Sequence, residues 1–492
     1  MNIYIINNPF HYEIENLTRA FFNNEKLNVL KCDENIQREK PYVSAELIKY
    51  ENNSEIIVSF AENDFEKTLT KKLDGSFEDT YSDCERTAAI LLFEILSEYT
   101  GIKLPWGILT GVRPIKLLHN LVRELGTDGA EKYFREKLLV NEQKTKLALT
   151  TEKNERKLLE LSKPNSFSLY VSVPFCPTRC SYCSFVSQSI EKAQKLVEPY
   201  LDLLCQEISY TAKIAEELKL KLETVYIGGG TPTTFSAEQL SKLISEINSS
   251  FDMKQCREFT IEAGRPDTIT REKLEAIISG GCDRISINPQ TMNDEVLEAI
   301  GRRHTSEQTL EAYRLAEEVG FKHINMDLIT GLPKDTPESF KYTLDTICGL
   351  SPASITVHTL AMKRSSFLTL GGTLVKTGIE PPAAVMMKYC EDILPKFGYH
   401  PYYLYRQSRM EGNLENVGWS KDGFDGLYNV YVMDETHTIL ACGAGGVSKL
   451  REPGANHLER IFNYKYPYEY INSFDEMLRR KEQIKDFYAK LK

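Results

Sequence analysis

The pattern of apolar and polar residues changes near residue 164. Beyond this point, short apolar runs of strand length alternate with longer segments whose apolar residues recur at helical spacing. The predicted strands are Ser168–Val173, Thr224–Ile227, Glu258–Glu262, Arg284–Ile287, Ile324–Leu328 and Ser354–His358. The predicted helices are Pro199–Leu218, Ser236–Ser249, Arg271–Ser279, Ser306–Val319 and Pro337–Cys348. Successive strand–helix units predict a parallel sheet, either a whole or partial barrel or an open doubly wound sheet.

The segments on either side of this region follow other patterns. Residues 1–163 predict a separate α+β domain, with a solvated helix rich in Lys and Glu within 130–161. A linker at Ser162–Pro164 leads to the second domain, over 164–378. Residues 379–492 predict an α+β extension that packs against the sheet. Its predicted elements are a helix at Ala383–Phe397, strands at Tyr402–Arg406, Leu427–Met433 and Thr438–Ala441, a turn at Gly443–Gly446 and a helix from about Pro467.

Composition and charge exclude several classes of protein. With 60 Lys and Arg against 70 Asp and Glu, the formal charge is −10, whereas broad nucleic-acid binding requires a basic surplus. No apolar run approaches the ~20 residues that span a bilayer. The start of the chain lacks the basic and apolar regions of a signal peptide, so we expect a cytoplasmic protein. In that compartment, 11 mostly scattered cysteines favour reduced thiols or metal ligands over disulfides.

Three of the cysteines carry the strongest chemical signal. Cys176, Cys180 and Cys183 follow the first predicted strand after residue 164, in a loop where their side chains can converge. A structural zinc site usually needs four protein ligands, and the position two after Cys183 is Phe185. A 4Fe-4S cluster on three thiolates keeps one iron open for an outside ligand, whereas electron-transfer ferredoxins use four cysteines. An incomplete zinc site and three incidental buried cysteines are the alternatives.

The pattern Cys-x-x-x-Cys-x-aromatic-Cys resembles the radical S-adenosylmethionine (radical SAM) superfamily. The resemblance implies a partial (β/α)6 TIM-like α/β barrel that binds a 4Fe-4S cluster through Cys176, Cys180 and Cys183, together with one or two molecules of SAM. In that superfamily SAM chelates the open iron, and an electron from the cluster cleaves SAM to a 5'-deoxyadenosyl radical. The protein is then expected to supply position and shielding, and the cofactors the reactive chemistry.

Further motifs resemble the oxygen-independent coproporphyrinogen III dehydrogenase family. Between Tyr170 and Ala361 these motifs are Tyr-x-x-x-Pro-Phe-Cys, Gly228-Gly-Gly-Thr-Pro-Thr233, Arg284-Ile-Ser with Gln290, Gly301-Arg-Arg-His304 and Asp327-Leu-Ile-Thr-Gly-Leu-Pro333. The flanking segments similar to the HemZ-type branch of this family are Pro105–Pro114, His400–Gln407 and Gly412–Trp419. The likeness therefore spans most of the chain.

The resemblance also implies cofactor contacts residue by residue. Tyr182 offers a flat face for adenine, and the glycine run lets the backbone approach the methionine part of SAM. Carboxylates suit ribose hydroxyls or the sulfonium charge, and Arg302 suits the SAM carboxylate. The SAM-binding residues implied in this way are Tyr170, Tyr182, Gly229, Gly230, Thr231, Glu262, Gln290, Arg302, Asp327 and Ala361. Glu262, Gln290 and Asp327 fall at or just past strand ends, the face of a barrel that holds the active site.

The substrate implied by the resemblance is a tetrapyrrole with four propionates. Oxidative decarboxylation of coproporphyrinogen III gives vinyl groups and yields protoporphyrinogen IX for haem synthesis. The candidate cations for this anionic substrate are Arg303, Lys363, Arg364 and Arg406. Flavodoxin or ferredoxin is the expected reductant.

Two departures from the family patterns keep other functions open. The decarboxylating branch has a further cysteine where this chain has Phe185, and the haem-chaperone branch has a His-Asn-x-x-Tyr-Trp motif that this chain lacks. One alternative is a haem-binding or haem-transfer protein with a structural cluster. The other is a radical SAM enzyme that acts on a different substrate.

Overall fold

The computed structural model describes residues 1–22, 25–32, 37–361, 381–407, 410–452, 454 and 457–491. Within these residues the chain forms sheets of five, eleven and two strands. No helix in the described part of the chain is long and apolar enough to cross a membrane. The eleven-stranded sheet contains the six strands predicted between residues 164 and 378, so it organises the rest of the fold.

The five-stranded sheet is built from the N-terminal part of the chain. Its elements and their two helices are β1 (Asn2–Ile6), α1 (His11–Phe21), β2 (Asn28–Cys32), β3 (Tyr42–Lys49), β4 (Asn53–Glu62), β5 (Phe65–Asp74) and α2 (Phe77–Thr100). The strand order is β2-β1-β3-β4-β5, with β1 parallel to both of its neighbours. Helices α1 and α2 bury apolar side chains such as Ile14, Leu17 and Leu92 in the core that they share with this sheet.

Two helices connect the five-stranded sheet to the large one. They are α3 (Pro114–Lys132) and α4 (Glu142–Leu159). The prediction of a solvated helix within 130–161 was wrong in part, because α4 buries Lys144 and Glu152 where it packs on α3 and on the large sheet. Lys144 pairs with Glu391 and Glu415, which gives this buried charge the partners it needs.

Six parallel strands joined by helices form the centre of the large sheet. In chain order this region comprises β6 (Ser166–Val173), β7 (Phe175–Cys176), β8 (Gln188–Ser189), α5 (Ile190–Glu217), β9 (Lys221–Gly229), α6 (Ala237–Ser250), β10 (Glu258–Gly264), α7 (Arg271–Ser279), β11 (Arg284–Ile287), α8 (Asp294–Ala299), α9 (Ser306–Val319), β12 (His323–Thr330), α10 (Pro337–Leu350) and β13 (Ser354–Thr359). The order β6-β9-β10-β11-β12-β13 follows the chain without reversal. A doubly wound sheet reverses its order at a switch point, so the fold is the partial (β/α)6 barrel and the predicted strands are confirmed.

Side-chain caps determine where the barrel helices begin. In α6, Ser236 accepts from the Gln239 N–H while the Gln239 side chain accepts from the Ser236 N–H, and Thr305 and Gln308 do the same at α9. Each such box satisfies two backbone donors that the first helical turn leaves unpaired. The helix starts face the same side as the carboxyl ends of the strands, so the caps also fix the loops at that side.

The C-terminal extension lengthens the sheet at both edges. Its elements are α11 (Pro382–Ile393), β14 (His400–Tyr405), β15 (Asn416–Ser420), α12 (Leu427–Asp434), β16 (Thr438–Cys442), β17 (Val447–Arg451), β18 (Leu458–Phe462), α13 (Pro467–Asn472) and α14 (Phe474–Lys490). Strand β15 pairs antiparallel with β13 and carries β14, whereas β16 pairs parallel with β6 and carries β17 and β18. The extension therefore joins the sheet, whereas the sequence analysis expected it to cover the sheet.

The strand predicted at Leu427–Met433 was wrong, because this segment forms helix α12. Its Tyr and Val residues favour strands, and an apolar run that is buried on most sides shows no helical period. The helix closes the amino end of the barrel. The Leu427 N–H donates to Glu258 at the start of β10 over 2.5 Å, and Tyr431 donates to Glu223 at the start of β9 over 2.7 Å.

Candidate functional site

A loop directly after the first barrel strand holds the three cysteines. Strand β6 ends at Val173, and the short strands β7 and β8 pair across the base of the loop from Cys176 to Gln188. Within the loop, the Cys183 N–H donates to the Cys180 carbonyl over 3.2 Å. The loop is therefore an internally bonded turn at the carboxyl end of a barrel strand, the face on which barrels place active sites.

Cys176 and Cys183 lie close enough to other cysteines of the loop for the pKa of each to respond to them. Burial raises the pKa of Cys176 and raises that of Cys183 to about 11, and the neighbouring cysteines add to both shifts. Such thiols ionise readily only beside positive charge, which the irons of a cluster supply. Among the described residues, no three His, Cys, Asp or Glu side chains are placed to hold a single metal ion. A cluster fits this donor set better, because each thiolate binds a different iron.

Two residues from other barrel loops approach the sulfurs. Thr231 Oγ1 donates to Cys176 Sγ over 3.5 Å, and the positive charge of Arg302 lies near Cys180. Arg302 donates to the Tyr182 hydroxyl over 3.1 Å, so this arginine contacts the cysteine loop. Hydrogen bonds to sulfur are one means by which a protein sets the reduction potential of a cluster.

The glycine run at the end of β9 packs directly against the start of the cysteine loop. The Gly230 N–H donates to the Val173 carbonyl over 2.8 Å, and the Thr231 N–H donates to the Phe175 carbonyl over 2.7 Å. A Cβ at Gly230 would lie 2.5 Å from the Phe175 oxygen, and Gly229 has a φ of +110°. Glycine is therefore required at both positions, and the backbone there stays uncovered by side chains.

Two of the predicted carboxylates lie on strands that flank β11, close enough to interact electrostatically. Glu262 on β10 accepts a hydrogen bond from Tyr226 over 2.6 Å, whereas Asp327 on β12 accepts one from Asn325 over 2.7 Å. His358 Nε2 lies 3.8 Å from Asp327. Burial raises the pKa of Glu262 to about 7, and the charge of Asp327 adds to this shift. A ligand that brings a positive charge or hydroxyl donors would stabilise this pair.

Three stacked tyrosines lie next to Glu262. The Tyr226 and Tyr428 rings are 4.5 Å apart at 18°, and the Tyr428 and Tyr170 rings are 6.4 Å apart at 15°. The sequence analysis named Tyr170 and missed the other two. Tyr226 stands two residues before Gly228, so strand alternation could have placed it on the same face. No pattern in the sequence placed Tyr428 beside Glu262, because the segment that contains it was predicted as a strand.

The last two predicted contacts follow the fourth and sixth barrel strands. Gln290 is buried with a φ of +70°, and its N–H donates to the Asp327 carbonyl over 2.9 Å. A left-handed backbone is costly for a residue other than glycine, and such strain collects at functional sites. Ala361 follows β13 and pairs with Met410. Apart from Ala361, the predicted residues thus form one group around the cysteines and a second around Glu262 and Asp327.

The candidate cations for the substrate have different surroundings. Arg303 is exposed, with 67% of its side chain accessible, and pairs with Glu191 over 3.1 Å. Arg406 is buried and donates to the carbonyls of Leu109 and Asn413, so it joins the N-terminal segment to β14 and is not a surface cation. Lys363 and Arg364 lie outside the described residues.

The fold and the cysteine loop define a class of protein, and residues 170–347 match the Radical SAM superfamily. The solved structure of coproporphyrinogen III oxidase (HemN) from Escherichia coli, a radical SAM enzyme, has the same fold. It matches with a TM-score of 0.51 and 23% identity over 65% of this chain and 72% of that one. The protein is therefore a radical SAM protein, and its cofactors are the 4Fe-4S cluster and SAM of that superfamily.

Curated relatives identify the family within this class. The oxygen-independent coproporphyrinogen-III oxidase-like protein HemZ of Bacillus subtilis is 38% identical over 421 residues, 84% of each chain. The heme chaperone HemW of Lactococcus lactis is 30% identical over 66% of this chain and 80% of its own. The oxygen-independent coproporphyrinogen III oxidase of Escherichia coli is 34% identical over 39% of this chain and 42% of its own. The chain belongs to the HemZ-type family of oxygen-independent coproporphyrinogen III oxidase-like proteins.

Proposed function

We propose that this protein oxidatively decarboxylates coproporphyrinogen III without oxygen. In such a reaction the 5'-deoxyadenosyl radical takes a hydrogen atom from each reacting propionate, carbon dioxide leaves, and an external electron acceptor takes the remaining electron, so that the side chain becomes a vinyl group. The observation that carries the proposal is the arrangement at one end of the barrel. The cysteine loop, the glycine run and the carboxylates of Glu262 and Asp327 all belong to its parallel strands or follow them directly.

Cys176, Cys180 and Cys183 hold the cluster in this proposal. When bound, the cluster and SAM supply a 5'-deoxyadenosyl radical that removes hydrogen from a substrate carbon. Thr231 donates to the sulfur of Cys176, and Arg302 donates to Tyr182 in the cysteine loop and places its charge near Cys180, so both stabilise the thiolates and keep the loop in place.

The remaining residues position SAM and keep water away from it. The uncovered backbone at Gly229 and Gly230 accepts the amino group of the methionine part, and Glu262 accepts donors from ribose or faces the sulfonium. The tyrosine stack, of which Tyr428 is buried, lies beside Glu262, and Tyr226 is the single residue that donates to the carboxylate in the described structure. The other proposed contacts are Tyr170, Tyr182, Gln290, Asp327 and Ala361.

The relatives and the accessibility of the loop support the choice of substrate and reductant. Enzymes named for coproporphyrinogen III are among the relatives, and Arg303 is the exposed cation of the described candidates. Phe185, two residues after the third cysteine, has 63% of its surface exposed, so the loop reaches the protein surface. A flavodoxin or ferredoxin could deliver electrons there.

An anaerobic assay tests this function. Cluster-loaded protein with reductant, SAM and coproporphyrinogen III is expected to form 5'-deoxyadenosine and vinyl products. Cys180→Ala should lose both the brown colour of the cluster and all turnover, whereas Arg303→Gln should raise the KM for the porphyrinogen with little change in kcat. Formation of 5'-deoxyadenosine without vinyl products would contradict the proposed substrate and favour a different radical reaction.

Haem transfer is the second candidate function. It is favoured by the match to HemW, named a heme chaperone, over two thirds of this chain. Spectroscopic titration with haem, in parallel with the porphyrinogen assay, separates the two functions. Stable haem binding by protein that does not convert coproporphyrinogen III would support transfer and contradict decarboxylation.

A further inference from the structure

A buried arginine outside the predicted site, Arg265, donates hydrogen bonds to the cysteine loop. Arg265 follows β10 directly, and its side chain is 3% exposed. Its Nε and Nη2 atoms donate to the two carboxylate oxygens of Asp267, each over 3.0 Å. Its Nη1 atom donates to Thr178, at 2.6 Å from the hydroxyl and 3.3 Å from the carbonyl. Thr178 stands between the first two cysteines, so one guanidinium joins β10 to the loop.

The hydroxyl of Thr178 is fixed from two sides. It accepts from Arg265 and donates to the Gly301 carbonyl over 3.2 Å, in the turn after α8. The Ser181 N–H donates to the Ile300 carbonyl over 3.0 Å in the same turn. The cysteine loop is therefore tied both to the third barrel strand and to the turn after the fourth.

A guanidinium suits this position for a physical reason. Burying a charge is costly unless it is paired and hydrogen-bonded, and here the planar fork of Arg265 satisfies a bidentate carboxylate and the loop together. The same positive charge lies beside the cysteine loop, with Nη1 2.6 Å from the hydroxyl of Thr178. A lysine would keep that charge, but a single ammonium cannot reproduce the fork.

We infer that Arg265 is a positioning residue that holds the cysteine loop in the geometry in which its cluster binds SAM. The inference rests on the proposed function, because it requires a cluster on the three cysteines. Arg265 touches neither the substrate nor the reacting atoms in this account. It acts through its hydrogen bonds to Thr178 and through its positive charge beside the cysteine loop.

The test compares anaerobically loaded Arg265→Gln, Arg265→Lys and Thr178→Val with the wild type. We expect Arg265→Gln to slow 5'-deoxyadenosine formation at least about tenfold, because misplaced reacting groups cost large factors in rate. Its cluster potential should become more negative, since a positive charge near the sulfurs is lost. Arg265→Lys should restore the potential and not the rate, and Thr178→Val should lower the rate while keeping the potential.

Arg271→Gln is the matched control, because Arg271 forms an exposed pair with Glu318 on the outside of the barrel. It should keep the wild-type rate, potential and SAM-dependent change in the electron paramagnetic resonance spectrum.

If Arg265→Gln fails to fold, as judged by circular dichroism, Thr178→Val alone decides the question, and a wild-type rate in that variant overturns the inference. A wild-type rate and potential in folded Arg265→Gln also overturn it. If the wild-type protein itself loads no cluster, the proposed function is contradicted. The inference about Arg265 is contradicted by a different result, in which the wild type loads its cluster and the variants behave like it.

Discussion

Two acidic side chains in the interior, Glu207 and Glu262, have opposite surroundings. Glu207 on α5 accepts from the Gly443 N–H over 2.7 Å, from Asn463 over 2.8 Å and from Tyr470 over 2.6 Å. It also pairs with Lys481 over 2.9 Å, and neither side chain of this pair is exposed. Glu207 therefore has four partners, and it holds the turn after β16 against α5 and α14.

Glu262, in contrast, accepts one hydrogen bond among the described residues, from Tyr226. Its other close ionisable neighbours include Asp327, which repels it, and His358. Glu207 is fully buried with four partners and is a structural element, whereas Glu262 is partly exposed with a single partner and costs stability until a ligand compensates it. The comparison teaches that a structural acid combines complete burial with complete hydrogen bonding, whereas a site acid keeps an accessible face and few partners.

The largest expected effect is a loss of stability when Glu207 loses its cationic partner. Lys481→Met removes the only cation bonded to Glu207 in the described structure and should lower the free energy of unfolding by about 3–5 kcal/mol. Lys485→Met is the matched control on the same helix, because Lys485 forms ion pairs that solvent screens, so its loss should change stability little. Denaturant unfolding measures both variants, and equal losses would contradict the structural role of Glu207.

The next effect is a pH dependence that Glu262 should produce in cofactor-free protein. Burial raises the pKa of Glu262 from 4.5 to about 7, so the folded state binds the proton more tightly than the unfolded state. The contribution of Glu262 to stability is therefore intact below about pH 4.5 and is lost, by at most about 3 kcal/mol, as the pH rises through about 7. The other titratable groups around it are Tyr170, Tyr226, Tyr428, Asp327 and His358.

Unfolding measured at about pH 5 and about pH 8 checks this effect, with Glu262→Gln as the variant that lacks the titrating group. The wild type should lose more stability than Glu262→Gln over this interval. Identical pH profiles for the two proteins would show that Glu262 is compensated, and the contrast with Glu207 would be lost.

A smaller effect is expected on SAM affinity in cluster-loaded protein. Glu262→Gln removes the negative charge and should weaken SAM binding about tenfold, or about 1.4 kcal/mol. The fold should be unaffected or more stable at neutral pH, which is the reverse of the result expected for Lys481→Met. Glu311→Gln, on the exposed face of α9, is the control. Equilibrium dialysis with SAM measures both variants, and equal affinities would contradict a role for Glu262 in SAM binding.

The smallest effect should come from the single donor to Glu262. Tyr226→Phe removes that hydrogen bond but keeps the stacked ring, so we expect a loss of about 0.5–1.5 kcal/mol in SAM affinity, with little change in stability. Tyr342→Phe, at an exposed position, serves as the control. An unchanged SAM affinity in Tyr226→Phe would show that the phenol does not orient the carboxylate.

Much of the barrel could be predicted because its strands and helices differ clearly in period and length. The six strands and the helices between them are confirmed, and the cysteine loop lies after β6 as expected. The segment at Leu427–Met433 could not be predicted, since a buried helix rich in Tyr and Val has the composition of a strand. The domain boundaries near residues 163 and 378 stay predictions.

The site was predictable only where a residue stands in a motif. Tyr182 and Arg302 were named from motifs, and the structure places them beside Cys180. Arg265 was missed, because its importance comes from bonds to Thr178, far away in sequence, and no spacing rule reports such a contact. Arg406 was misjudged for the same reason, since its backbone partners in the N-terminal segment are visible only in the folded chain.

The pairing of β16 with β6 has a consequence for how the protein is made. Ribosomes synthesise β6 and the three cysteines long before β16. One edge of β6 in the nascent chain therefore stays without its partner β16 until most of the polypeptide has emerged. The part of the sheet that supports the cysteine loop is thus completed late in synthesis, by pairing between strands that are far apart in sequence. Chains that stop before β16 should be poor substrates for metal insertion and good ones for proteases.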